Sequence, residues 1–136
     1  NVTAYDCVVC AAMDARCNQV YVALFRVNGG KVERLTEEEC LKTDEAARML
    51  SEYDDDIMLV GDGAFIMKKA TDNEGLENVK IAPDPLRYQT GYGVCLAAVN
   101  APQLTPEQLM PMYLKLPQAQ RELMAKNAEA YKERKE

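Results

Sequence analysis

Residues 7–37, CVVCAAMDARCNQVYVALFRVNGGKVERLTE, decide the architecture. Cys7–Met13 is apolar without a break, the pattern of a strand covered on both faces. Asp14–Gln19 is a polar connector. Val20–Val27 (VYVALFRV) is rich in β-branched and aromatic residues and reads as a second strand. Asn28-Gly29-Gly30 tolerates positive φ and marks a hairpin. Lys31–Glu37 alternates apolar and polar residues, which suits a third strand nearer an edge. The opening is a three-stranded antiparallel meander.

Helices and strands then alternate. Thr43 is placed to cap a helix whose first turn carries Asp44 and Glu45, both favourable at the positive end of the dipole. Ala46, Met49, Leu50 and Tyr53 form its apolar face, and Asp54-Asp55-Asp56 ends it. Ile57–Val60 is a short buried strand running into Gly61-Asp62-Gly63. A helix from Ala64 to about Ala70, a loop with Gly75 and a strand at Val79–Ala82, closed by Pro83 and Pro85, follow. Residues 86–100 read as one helix with Tyr88, Tyr92, Cys95, Leu96 and Val99 on one face. Gly91 and Gly93 weaken it by up to ~1 kcal/mol each relative to alanine, a cost offset by close approach of the helix backbone to a neighbour. Thr105-Pro106-Glu107 begins a turn, and Pro117 opens a terminal helix on which Leu123, Met124 and Tyr131 pack against the domain or a partner. The order βββαβα, with a further βα and a tail helix, is the ribonuclease-H-like plan of an α/β fold with a mixed sheet. Residues 1–116 form the lobe and residues 117–136 the terminal helix and tail.

The totals agree with one such lobe. The chain has 136 residues, enough for one domain, and a 48% apolar fraction that supplies a core. No apolar run approaches the ~18–20 residues that cross a membrane, and the first ten residues lack a secretory signal, so a soluble cytoplasmic protein is expected. The five cysteines are an odd set, and Cys7 and Cys10 form a CxxC inside the first strand. An odd separation points them to opposite faces, as small buried hydrophobes in a reducing compartment. A net charge of −6 repels phosphate backbones, so direct nucleic-acid binding is not expected. The chain opens at asparagine in a loop-like NVTAYD, which suggests that an N-terminal portion precedes it.

Several chemistries are disfavoured. With no histidine and Ser51 as the only serine, neither a zinc peptidase motif nor a serine triad can be assembled from this chain. A ribonuclease H nuclease holds metals on carboxylates, one of them mid-way along the first strand. Here the nearest acid, Asp14, falls past the end of its strand, and the spacing of Glu33, Glu37 and Asp62 does not cluster them with it. Two turns are left as candidates. Gly61-Asp62-Gly63 lies between a strand and a helix, where backbone amides can approach a phosphate; the simpler reading is a tight turn with Asp62 as a cap. Asp14-Ala15-Arg16 is either a ligand-facing connector or a salt-bridged turn. Asp14, Arg16, Gly61, Asp62 and Gly63 are therefore the candidate nucleotide-facing residues; no catalytic or metal-binding residue is assigned.

The run AAMDARCNQVYVALF resembles the TsaB (YeaZ) family, in which an apolar strand leads to Asp-Ala-Arg and then to Glu/Gln-Val-Tyr in the next strand. Asp14, Ala15, Arg16, Val20 and Tyr21 are the matching positions. Leu59-Val60-Gly61-Asp62-Gly63 matches the family's strand and turn. Pro111, Tyr113, Leu114, Lys115 and Ala119 match its Pro-x-Tyr-Leu-Arg/Lys ending. The resemblance covers nearly the whole chain. It implies the C-terminal half of a protein related to the glycoprotease-like TsaD, within the kinase, actin and heat-shock ATPase superfamily. It also implies a non-catalytic scaffold that supports TsaD, with the ATPase TsaE, in making threonylcarbamoyladenosine on tRNA. The family's N-terminal lobe is absent from this chain, so TsaD and TsaE would be met through the full-length protein, ATP could bind only with that lobe, and a homodimer is an alternative assembly. The competing expectation is half of an actin-like-fold phosphotransferase, with Asp14 and Gly61–Gly63 touching ATP.

Overall fold

The computed structural model describes residues 2–99, 101–117, 119–120 and 123–124. β1 (Cys7–Arg16) lies in the middle of a six-stranded sheet. It pairs antiparallel with β2 (Gln19–Asn28) and parallel with β5 (Ile57–Val60), and β5 pairs parallel with β6 (Val79–Ile81). β3 (Lys31–Arg34) and β4 (Glu39–Lys42) both pair antiparallel with β2, β3 at its end and β4 at its beginning. The meander followed by alternating helices and parallel strands is ribonuclease-H-like, as the sequence pattern implies.

The third strand is broken, which the alternation over 31–37 does not show. The Leu35 and Thr36 amides both donate to the Leu24 carbonyl, and the Thr36 hydroxyl accepts from the Leu24 amide. A side-chain oxygen thereby replaces a ladder carbonyl and ends β3. The Gly29-Gly30 turn is formed as expected, with φ of 55° and 77°, the left-handed pair that suits a two-residue hairpin.

α1 (Thr43–Leu50) starts one residue earlier than expected. Lys42, not Thr43, is the cap position, and Glu45 reaches back to accept from the Lys42 amide at 3.1 Å. The helix closes at Ser51, before the triple aspartate, so Tyr53 packs on the core from outside it. α2 (Ala64–Asn73) runs three residues beyond Ala70. The expected helix over 86–100 is two pieces, α3 (Asp84–Arg87) and α4 (Gly91–Ala98), because Thr90 caps α4 by accepting from the Gly93 amide at 3.1 Å. Its expected apolar face is exposed, and Gly91 meets nothing within 4 Å, so close backbone approach does not explain that glycine. Ala119, Gln120, Leu123 and Met124 are helical. Leu123 and Met124 are exposed rather than packed on the domain, and the remainder of the expected terminal helix, with Tyr131, lies outside the described residues.

The core is asymmetric for a topological reason. Going from β4 through β5 to β6 the chain steps across the sheet in one direction, so right-handed crossovers put α1 and α2 on the same face. There Ala46, Leu50, Ala64 and Met67 bury Val8, Cys10, Ala12, Val20 and Leu59. The other face carries a smaller cluster built on Val9, Val27 and Ala82, with Cys7, Phe25 and Leu86 against it. Cys7 and Cys10 thus occupy opposite faces as expected. Burial pushes the Cys10 thiol up to about 12, while Cys7, raised by partial burial and by Asp56 and Asp6, is still partly accessible. No helix among the described residues is long and apolar enough to cross a membrane.

Candidate functional site

The C-terminal ends of β1 and β5 lie side by side, the place where open α/β sheets hold ligands. β1 continues through Asp14 to Arg16, so Asp14 is inside the strand rather than past its end. An extra residue between the pairs Asp14–Val20 and Arg16–Gln19 makes a bulge. Arg16, Cys17 and Asn18 then follow in left-handed conformation, with φ of 63°, 54° and 56°. Asparagine visits this region readily, but arginine and cysteine each lose ~1–2 kcal/mol there. Three contacts hold the strained turn. Asp14 Oδ1 accepts from the Arg16 amide at 2.7 Å, the Asn18 carbonyl accepts from the Thr43 amide at 3.0 Å, and Lys115 Nζ donates to the Ala15 carbonyl at 2.7 Å. The Arg16–Asp14 ion pair adds little, being 3.5 Å long with an exposed arginine.

Gly61-Asp62-Gly63 packs directly on this turn. Asp62 Oδ1 accepts from the Asp14 amide at 3.1 Å, which brings together two acids whose spacing in the chain does not suggest proximity. Asp62 is therefore a brace between strands and not a helix cap; α2 has no side-chain cap. β1 presses on both glycines: a Cβ on Gly61 would lie 2.0 Å from the Ala12 oxygen, which rules it out, and one on Gly63 would lie 3.0 Å from the Ala12 carbonyl carbon, a tight contact. Three of the turn's backbone amides are engaged within the protein. Gly61 donates to the Arg87 carbonyl at 2.7 Å, Gly63 to Ala12 at 3.0 Å and Ala64 to Gly61 at 3.3 Å.

Two participants were not singled out as site residues from the sequence. Lys115 belongs to the Pro-x-Tyr-Leu-Lys ending, and that motif was the signal for it. Arg87 is 8% exposed, with its guanidinium 4.6 Å from the Phe65 ring centre and 4.9 Å from that of Tyr88. A hydrogen bond to the Tyr88 hydroxyl and the Asp84 carboxylate at 2.7 Å hold it protonated. Only tertiary packing reveals that role.

Below this corner, on the sheet face away from α1 and α2, lies a mainly apolar cavity of about 700 Å³. Met13, Tyr21, Phe25, Val60 and Tyr113 are among its lining, with Gly61, Arg87 and Lys115 on its wall. Asp14, Arg16, Asp62 and Gly63 do not line it. Among the described residues no group of three histidine, cysteine or acidic side chains could hold a metal ion.

No family model matches the chain. No curated protein matches it. Among solved structures it is similar to the crystal structure of an uncharacterized protein with similarity to peptidase YeaZ from Pseudomonas aeruginosa, with 19% identity and a TM-score of 0.53. The fold is YeaZ-like. The alignment covers 79% of this chain and 49% of that one, so the chain spans about half the length of its YeaZ-like neighbour.

Proposed function

We propose that this chain is the C-terminal half of a TsaB-type scaffold, which supports a TsaD-type transferase in forming threonylcarbamoyladenosine on tRNA and does not itself carry out the transfer. One observation carries the reading: the three stretches that resemble the family, far apart in sequence, converge on one corner and bond to one another. The Asp14–Arg16 turn receives Asp62 from one side and Lys115 from the other. Several of the corner's polar groups are engaged in this convergence. Asp14 serves the Arg16 amide, Asp62 serves the Asp14 amide, and the Gly61, Gly63 and Ala64 amides serve backbone carbonyls. Such a corner is suited to holding a shape that a partner reads, and the YeaZ-like fold agrees with it.

The test is a threonylcarbamoyl-transfer assay with the full-length parent protein, TsaD, TsaE and tRNA. Activity should require the parent protein and survive Asp14→Ala and Asp62→Ala wherever the complex still assembles. Turnover without the parent protein would sink the proposal. So would a variant that assembles fully yet transfers nothing, because one of these acids would then act in chemistry. ATP affinity of the parent protein that vanishes in Asp62→Ala would favour the phosphotransferase reading instead.

A further inference from the structure

The open face of the sheet contains a saddle. On that face β1 and β2 pair Val9 with Phe25, Ala11 with Ala23, and Met13 with Tyr21, so two methyl groups sit between pairs of large side chains. All six residues line the 700 Å³ cavity. Across it stands α4, which presents Gly93, Val94 and Ala97. Gly93 and Ala97, four apart, share one stripe of the helix, and neither carries more than a methyl group. A helix with such a stripe fits a saddle whose floor is two alanines.

α4 is poorly supported where it stands. It has eight residues, buries none of them, and exposes Tyr92, Val94 and Leu96. Short helices are marginal in water and owe their stability to packing. An apolar gap of this size forfeits dispersion contacts along its lining and offers water few partners. The helix itself brings no charge to the cavity, since residues 91–98 carry none. α3 is fixed by the bond from the Gly61 amide to the Arg87 carbonyl, and the link to α4 is extended at Tyr88 (φ −93°, ψ 151°) and Thr90 (φ −117°, ψ 152°).

We propose that α4 is a hinged cover, which turns about Tyr88–Thr90 to seat Gly93 and Ala97 on the Ala11–Ala23 pair and close the cavity. Lys115, bonded to Ala15, keeps the far end of the segment on the molecule while the helix moves. The open position presents the apolar saddle and the closed one hides it, so the cover decides whether that face is accessible. This inference is independent of the role in tRNA modification.

The chain has no tryptophan, so Phe25→Trp places a single tryptophan, excited selectively over the tyrosines, at the rim of the saddle. In the closed form its emission is blue-shifted and acrylamide quenches it poorly. Adding Gly93→Leu blocks the seat and should raise the quenching constant several-fold. Adding Gly91→Leu, at a position that meets open space, should leave it unchanged. Tyr21→Trp gives a second reporter on the same saddle should Phe25→Trp fail to fold. Equal quenching with and without Gly93→Leu overturns the proposal. Protection that rises with protein concentration overturns it as well, because a second copy of the chain would then be the cover.

Discussion

Gly61→Ala is the most direct probe of the corner. Gly61 has φ of +93°, and the new Cβ would lie 2.0 Å from the Ala12 oxygen and 3.0 Å from its carbonyl carbon. The left-handed backbone alone costs a non-glycine residue ~1–2 kcal/mol. Relieving the overlap means moving one of two pinned segments. Gly61 is held by its 2.7 Å bond to Arg87, and Ala12 by its 3.0 Å bond from Gly63. Overpacking of that kind adds ~1–3 kcal/mol, for a total of ~2–5 kcal/mol. That is a large share of the ~5–15 kcal/mol typical of a domain. Gly75→Ala is the control: its φ of +76° carries the same backbone penalty, but nothing lies within 4 Å of the added Cβ. Urea unfolding of both variants, at unchanged slope, isolates the clash as the difference in their midpoints. If the two variants lose equal stability, β1 does not press on Gly61. The corner would then have room for a ligand, and the argument from its packing would fail.

Other outcomes follow from single contacts. Lys115→Met removes the donor to the Ala15 carbonyl and should cost ~0.5–1.5 kcal/mol, with faster hydrogen exchange at residues 14–18; unchanged exchange there would show that the bond does not hold the turn. Cys10 should resist alkylation in the native protein at pH 8.5 while the exposed Cys17 and Cys95 are labelled, a pattern that peptide mass spectrometry reads directly. Cys10 also sets an alkaline limit. The unfolded chain releases its proton near 9.0 and the folded one only near 12, so stability is full below 9 and declines as pH rises toward 12. Cys10→Ala should flatten that part of the stability profile, although the cavity it leaves lowers stability at every pH.

The central sheet was legible because its signals are local. The apolar run of β1, the β-branched run of β2, the Gly29-Gly30 hairpin and the short β5 and β6 each carry their own pattern within a few residues. β4 was not legible, since Glu39–Lys42 is paired only because the Thr36 hydroxyl interrupts the edge first. The single helix over 86–100 failed for a different reason. Gly91–Ala98 is apolar all round, so periodicity could not reveal the capping role of Thr90. At the candidate site, sequence named two turns but did not show that they touch. The contact of Asp62 with Asp14 spans 48 residues and that of Lys115 with Ala15 spans 100. Only the parallel alignment of β1 with β5 explains the first. The glycines of the turn suggested approach to a phosphate; what approaches them is the backbone of β1.

The interrupted edge has a consequence for handling the protein at high concentration. A sheet border left open recruits further strands in proportion to its length and flatness. Here one border is two four-residue pieces on either side of the Thr36 break, with Lys31, Glu33 and Arg34 on the first and Glu39 and Lys42 on the second. The opposite border is three residues long and carries Lys80 at its centre. Neither offers a neighbouring molecule a continuous template. Fibrous growth through strand addition is therefore disfavoured.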